Sequence, residues 1–217
     1  NQRKKRRRNL KIINLVSGAF QTNTYVLING DNAAVIDPEG SAERILDSVE
    51  NRKVTDILLT HGHFDHTSAA ESLKKLTAAR IHIHEKDAPM LTDPDKAFSS
   101  LFPRMFKPCE ADSLLKDGDM IKFGDTDITV MHTPGHSGGS VMYIVHDDSK
   151  MGTIFSGDTL FADSVGRVDG WSGNHYEQME SLEKIKSISG EYRILPGHGE
   201  ETTLEKEKKH NPFLCGF

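Results

Sequence analysis

Apolar and polar positions along the chain lay out a repeated strand–helix order. Leu10–Val16, Thr24–Ile28 and Ala33–Ile36 are short β-rich runs, with Asp31-Asn32 placed for a hairpin turn before the third. Ser41 has the chemistry of an N-cap, and apolar spacing from Arg44 to Val49 predicts a helix behind it. Asp56–Thr60 predicts a strand, Thr67 or Ser68 caps a helix running to about Leu76, and Arg80–His84 alternates as another strand. Pro89, Pro94, Pro103 and Pro108 break residues 86–117 into short pieces. Further strands are predicted at Ile121–Phe123, Ile128–His132, Ser140–Val145, Thr153–Phe155 and Arg193–Leu195. Tyr176–Ile188 reads as an amphipathic helix carrying Met179, Leu182 and Ile185 on one face, and a last helix starts near Thr203. The strands arrive in two groups interleaved with helices. That order predicts an α/β fold of two mixed sheets packed face to face, with helices outside.

Composition narrows this only slightly. No tandem repeat or low-complexity linker divides the 217 residues, so one domain is expected over residues 10–217 behind a flexible basic arm, residues 1–9. Hydrophobic residues make up 36% and charged residues 27%, as in an ordinary globular chain, and no apolar run is long enough for a membrane span. Cys109 and Cys215 lack C-x-x-C spacing, which suits a reducing compartment. No signal-peptide pattern opens the sequence, so a cytoplasmic location is expected; the basic arm makes an organelle the alternative. The net charge of -5 includes six positive charges at Arg3-Lys4-Lys5-Arg6-Arg7-Arg8, leaving a body of about -11. An acidic body speaks against nucleic acid as the main partner. Oligomeric state is left open.

The chemistry gathers where predicted strands end. Thr60-His61-Gly62-His63-Phe64-Asp65-His66 sets three histidines and an aspartate directly behind an apolar run. His61 and His63 are two apart, so on an extended segment both rings face one way and can grip one divalent ion. Asp65 and His66 follow after the chain turns, which suits a second ion beside the first. His136 in Thr-Pro-Gly-His-Ser, Asp158 in Ser-Gly-Asp-Thr and His198 in Pro-Gly-His-Gly each follow another strand. Burying three imidazoles and a carboxylate together costs several kcal/mol (about 3–5) unless something compensates, and a metal would. Nitrogen and oxygen donors suit zinc, iron or manganese. His82, His84, His132, His146, His175 and His210 read as ordinary histidines, and Asp37, before Pro38, as a turn residue.

H-x-H-x-D-H followed by a Gly-His loop, a Gly-Asp strand end and Pro-Gly-His resembles the metallo-β-lactamase superfamily over about residues 10–212. Asn23-Thr24-Tyr25, Gly157-Asp158-Thr159-Leu160-Phe161 and Gly166-Arg167-Val168-Asp169 resemble its glyoxalase II-like hydrolases, especially the short single-domain members. The resemblance implies an αββα sandwich. It implies His61, His63 and His136 on one metal, Asp65, His66 and His198 on a second, and Asp158 between them. Two divalent metals follow, zinc first, with iron or manganese also suited. An acid at 158, where the commonest zinc β-lactamases carry cysteine, points away from those enzymes.

The implied activity is hydrolysis of a thioester such as S-lactoylglutathione. A hydroxide shared by two dications is a nucleophile at neutral pH, Asp65 orients it, and a thiolate with a pKa near about 8.5 leaves without a dedicated acid. Arg167 is a candidate anchor for a substrate carboxylate or phosphate. The tyrosines that longer members place beside the metals correspond here to Asp169 and Glu200, which leaves glutathione recognition open. The alternative is a persulfide dioxygenase using one iron on His61, His136 and Asp158. A lactonase or phosphodiesterase, or a non-catalytic scaffold recruiting partners through residues 3–8, are further alternatives.

Overall fold

The computed structural model describes residues 10–100, 102–146 and 151–215; the arm expected over residues 1–9 lies outside the described residues. The first sheet has the order β1-β2-β3-β4-β5-β6, formed by Lys11–Ser17, Thr22–Asn29, Asn32–Ile36, Lys53–Leu58, Arg80–His84 and Ser113–Leu115. Its first three strands pair antiparallel and the rest parallel. The second sheet is built from β7 (Met120–Phe123), β8 (Thr126–His132), β9 (Val141–Val145), β10 (Gly152–Gly157), β13 (Tyr192–Pro196) and β14 (Thr202–Thr203), in the order β14-β13-β10-β9-β8-β7. Leu160–Phe161 (β11) and Ser164–Val165 (β12) make a separate hairpin.

Three apolar layers follow from strand alternation. Tyr25, Leu27, Ala34, Ile36 and Leu58 of the first sheet meet Phe123, Val130, Tyr143 and Phe155 of the second. The intervening residues Val26, Val35, Ile57, Ile81 and Ile83 point outward, beneath α1 (Ala42–Ser48) and α3 (Ala70–Thr77). On the other side Ile154 and Ile194 pack under α4 (His175–Lys186), α5 (Leu204–His210) and α6 (Pro212–Cys215). This is the expected αββα sandwich. No helix among the described residues is long and apolar enough to cross a membrane.

Several details differ from the sequence reading. Strand β4 stops at Leu58; Leu59 still donates to His82 O of β5, but the Thr60 and Gly62 N–H groups turn to the Asp37 and Asp87 carboxylates, so the chain continues as a loop to His63. A separate short helix, α2 (Phe64–Thr67), precedes α3, so neither Thr67 nor Ser68 is the expected N-cap: Ser68 closes α2, and Ala69 stands at the N-cap of α3. Strand β6, the β11–β12 hairpin and β14 have two or three residues each, too few for a period-two pattern.

Across the seam between the sheets, the His84 and His132 rings stack at 4.0 Å with 8° between planes. Burial, then the neighbouring His132, pushes the His84 imidazole down to about 4. The folded value lies below that of the unfolded chain, so the unfolded chain takes up the proton first as pH falls. Stability is therefore full above about pH 6.5 and declines as pH drops toward about 4, by on the order of 1–2 kcal/mol after solvent screening. Glu85, Lys86 and Asp117 also face this ring. His84→Asn keeps an acceptor for the Lys86 N–H, which now donates to His84 Nδ1. Urea titrations at pH 7.5 and 5 should show a smaller pH-induced loss for the variant than for the parent protein.

Candidate metal centre

The seven implied side chains come from the ends of strands in both sheets. His61, His63, Asp65 and His66 follow β4, His136 follows β8, Asp158 follows β10 and His198 follows β13. The structure brings all seven together at one rim. His136 Nε2 faces His61 Nε2 at 3.3 Å and His63 Nδ1 at 2.9 Å. His66 Nε2 stands 3.2 Å from His198 Nε2, and Asp65 Oδ2 lies 3.3 Å from His198 Nε2. Asp158 reaches both groups: its Oδ1 is 3.4 Å from His66 Nε2, and its Oδ2 is 3.5 Å from His198 and 3.6 Å from His136.

The outer atoms of these rings explain why the inner ones fit a cation. His66 Nδ1–H donates to Asp37 Oδ2, His136 Nδ1–H to the Arg167 carbonyl, and His198 Nδ1–H to the Phe20 carbonyl. Thr60 Oγ1 gives its own proton to Asp37 Oδ2, so it accepts from His61 Nδ1–H. Each bond commits Nδ1 outward and leaves Nε2 as the inward-facing atom, the one that takes up a proton or a cation. Unprotonated nitrogens facing one another across about 3 Å repel unless they share a cation. Donors about 2.1 Å from a tetrahedral ion stand about 3.4 Å apart, close to the separations here. Asp158 Oδ1, buried without a hydrogen-bond partner, supports the same conclusion.

The electrostatics divide the cluster. Burial, followed by the neighbouring imidazoles, pushes His61 far below its ordinary value and His63 down to about 3. Burial acts the same way on His66 and His198, but the Asp158 and Asp65 carboxylates outweigh it. They raise His66 well above the ordinary value and His198 to about 9. Asp158 is held well below the carboxylate range because His66 and His198 overcome its burial. The field that draws protons to His66 and His198 would equally draw a divalent cation in their place.

The surrounding sequence motif acquires a mechanical reading. Asn23 Nδ2 donates to the carbonyls of Pro196 and Gly199, Tyr25 OH donates to Pro196 O, and Thr24 Oγ1 donates to Asp37 O. Asn23-Thr24-Tyr25 therefore clamps the loop carrying His198 and the turn carrying Asp37. An isolated Thr22–His198 bridge ties the two sheets at the same point.

Two acids escaped the sequence reading. Asp37 is no mere turn residue: it is buried, held at a φ of 48°, and braces both Thr60 and His66. Asp87 is buried and accepts from Ser137 Oγ and the backbone N–H groups of Gly62 and Gly139, joining the His63 loop to the His136 loop. Burial pushes its carboxyl upward against these donors. Asp37 carried a signal, an acid at the end of an apolar run; Asp87 carried none.

Arg167 lies at the rim. Its Nε and Nη2 bind the two oxygens of Asp169 at 2.6 and 2.7 Å, and its guanidinium sits 5.7 Å from the Phe98 ring centre. A groove of about 510 Å³ beside Lys74, Cys109 and Asp112 contains none of the seven side chains.

Comparison with known proteins agrees with this geometry. The profile of the family described as Metallo-beta-lactamase superfamily matches residues 17–198. The chain is 34% identical to the hydroxyacylglutathione hydrolase GloC of Haemophilus influenzae over 95% of this chain and 98% of that protein. It is 34% identical to the probable metallo-hydrolase YqgX of Bacillus subtilis over 92% and 95%. The crystal structure of the BLEG-1 B3 metallo-beta-lactamase superposes with a TM-score of 0.85 at 36% identity, covering 95% of this chain and 100% of that one. ETHE1 from Myxococcus xanthus gives 0.79 at 26% identity over 95% and 85%. TTHA1623 in a di-iron-bound form gives 0.78 at 32% over 93% and 100%.

Proposed function

The chain belongs to the metallo-β-lactamase superfamily, and from that premise we propose that it is a dinuclear metal-dependent hydrolase of thioesters, with S-lactoylglutathione as the first substrate to test. The observation that carries this reading is the pair of donor groups sharing Asp158. His61, His63 and His136 would hold one ion, Asp65, His66 and His198 the other, and Asp158 both. Residues 10–217 act in this proposal as one domain, since both sheets supply the site. Two bound divalent ions, zinc foremost and iron or manganese as alternatives, would lower the pKa of water to about 7 and polarise the substrate carbonyl.

The side chains do the remainder. Asp65 Oδ2 accepts from Thr22 Oγ1 at 3.3 Å and faces His198 at 3.3 Å, and in this reading it orients the attacking water and receives its proton. The hydroxyls of buried Tyr25 and Tyr143 donate to the carbonyls of Pro196 and Leu59, so neither is positioned as a general acid. A thiolate leaving group, with an ordinary pKa near about 8.5, makes no demand for one; an amide nitrogen would. Arg167 keeps Nη1 for a substrate anion while Asp169 holds its other nitrogens.

Elemental analysis paired with two assays tests the reading. About two equivalents of metal and thioester cleavage are expected, with activity lost on chelation and restored by added metal. One equivalent of iron with oxygen uptake on a persulfide would replace it with the dioxygenase reading. A protein that binds no metal would overturn both.

A further inference from the structure

The rim above the metal-binding residues is aromatic, and one of its rings is held in an unusual way. Phe98 is 39% exposed, yet its backbone adopts a left-handed φ of 61°. A bulky residue in that region is strained. The ring packs edge-on against His63 at 5.1 Å and beneath the Arg167 guanidinium. It also rests on the backbone of Gly170, where an added Cβ would lie 2.4 Å from the ring carbon Cε2. Strain, a cation above, a ligand histidine beside and a glycine below together fix this ring at the mouth of the site.

The ring has companions. Phe102 stacks on Phe64 at 5.4 Å, and Phe20 meets both edge-on at 5.5 Å. Phe20 and Phe102 are 43% and 39% exposed, and the Phe20 carbonyl receives the His198 N–H. Phe98 thus stands beside His63, and the Phe20–Phe64–Phe102 group reaches His198 through the Phe20 carbonyl. Arg167, the cation at this edge, is engaged with Asp169 and with Phe98 itself.

We infer that Phe98 and Phe102 form a specificity wall that selects thioesters bearing an apolar aliphatic or aromatic acyl group. The inference rests on the thioester-hydrolase reading above and names its substrate class. A polar acyl group such as lactoyl leaves the wall without a partner, whereas each methylene laid against it leaves water. Phe98 determines specificity by contact with the acyl chain, and Arg167 and Gly170 position it.

The test is a series of acyl thioesters of one thiol, N-acetylcysteamine, from acetyl through butanoyl to hexanoyl, plus phenylacetyl, each rate divided by its alkaline hydrolysis rate. The expected kcat/KM rises about twofold per methylene, about sixteenfold over the four methylenes from acetyl to hexanoyl, for a wall that buries one side of the chain. Phe98→Ala should flatten this slope and Phe98→Leu should restore most of it, with metal content equal in all three proteins. Should Phe98→Ala fail to fold, Phe102→Ala provides the second reading, with a partly flattened slope expected. A flat series in the parent protein, or an undiminished slope in metal-loaded Phe98→Ala and Phe102→Ala, overturns the wall and leaves the hydrolase reading standing. Failure to cleave any member, acetyl included, overturns the wall; failure on S-lactoylglutathione as well overturns both.

Discussion

Asp158→Asn is expected to abolish loading of both metals and to lower thioester hydrolysis by at least about a thousandfold. The reasoning is one of position. Asp158 is the only one of the seven side chains whose two oxygens approach both donor groups, 3.4 Å from His66 on one side and 3.6 Å from His136 on the other. Loss of an outer partner of a metal ligand typically costs about 10–100-fold in affinity or activity. A ligand shared by two ions contributes to both, and its negative charge offsets the repulsion between them. Asparagine preserves the shape and removes the charge, so the fold is retained while the electrostatic basis of the site is lost. The readouts are elemental analysis, kcat on S-lactoylglutathione and a circular dichroism spectrum. Normal metal content with normal kcat would place the reactive centre elsewhere.

The seven side chains were legible because metal chemistry constrains both residue type and spacing. Three histidines and an acid in six positions have few other uses, and each remaining candidate follows an apolar run at a glycine. The sandwich was legible for a related reason: strands and helices long enough to show a period divide into two groups. What escaped is what distance in sequence conceals. Asp37 reads locally as a turn before proline, and only folding sets its carboxylate against His66, 29 positions away. Asp87 sits among prolines with no neighbour of interest, yet it joins two loops by accepting from Gly62, Ser137 and Gly139. Phe98 was invisible for the opposite reason: a lone phenylalanine in an irregular segment predicts burial, and here it stands partly exposed beside His63. His82 has no acid next to it in the sequence, and the pairing of β4 with β5 supplies one, Asp56, at 2.8 Å. Strand pairing contributes partners that no local window contains.

The second large effect is expected from a single methyl group, in Gly197→Ala. Gly197 has no left-handed φ, so alanine brings no backbone strain there. Space is the obstacle: an added Cβ would lie 2.2 Å from Asp158 Oδ1, 2.7 Å from His66 Cε1 and 3.2 Å from the Gly157 carbonyl carbon. The first two are side chains of the donor cluster and must move by about 1 Å to reach ordinary contact. Displacement on that scale is enough to cost about a hundredfold in rate, and overpacking of this kind costs about 1–3 kcal/mol in stability. Gly199→Ala is the matched control two residues on. Its φ of 76° makes alanine strained by about 1–2 kcal/mol, but nothing lies within 4 Å of the new Cβ. Activity and stability should therefore separate. Gly199→Ala should lose a few degrees of melting temperature and keep its metal and rate, whereas Gly197→Ala should lose both metal and rate. Equal effects on kcat in the two variants would show that loop strain, rather than contact with Asp158 and His66, governs the site.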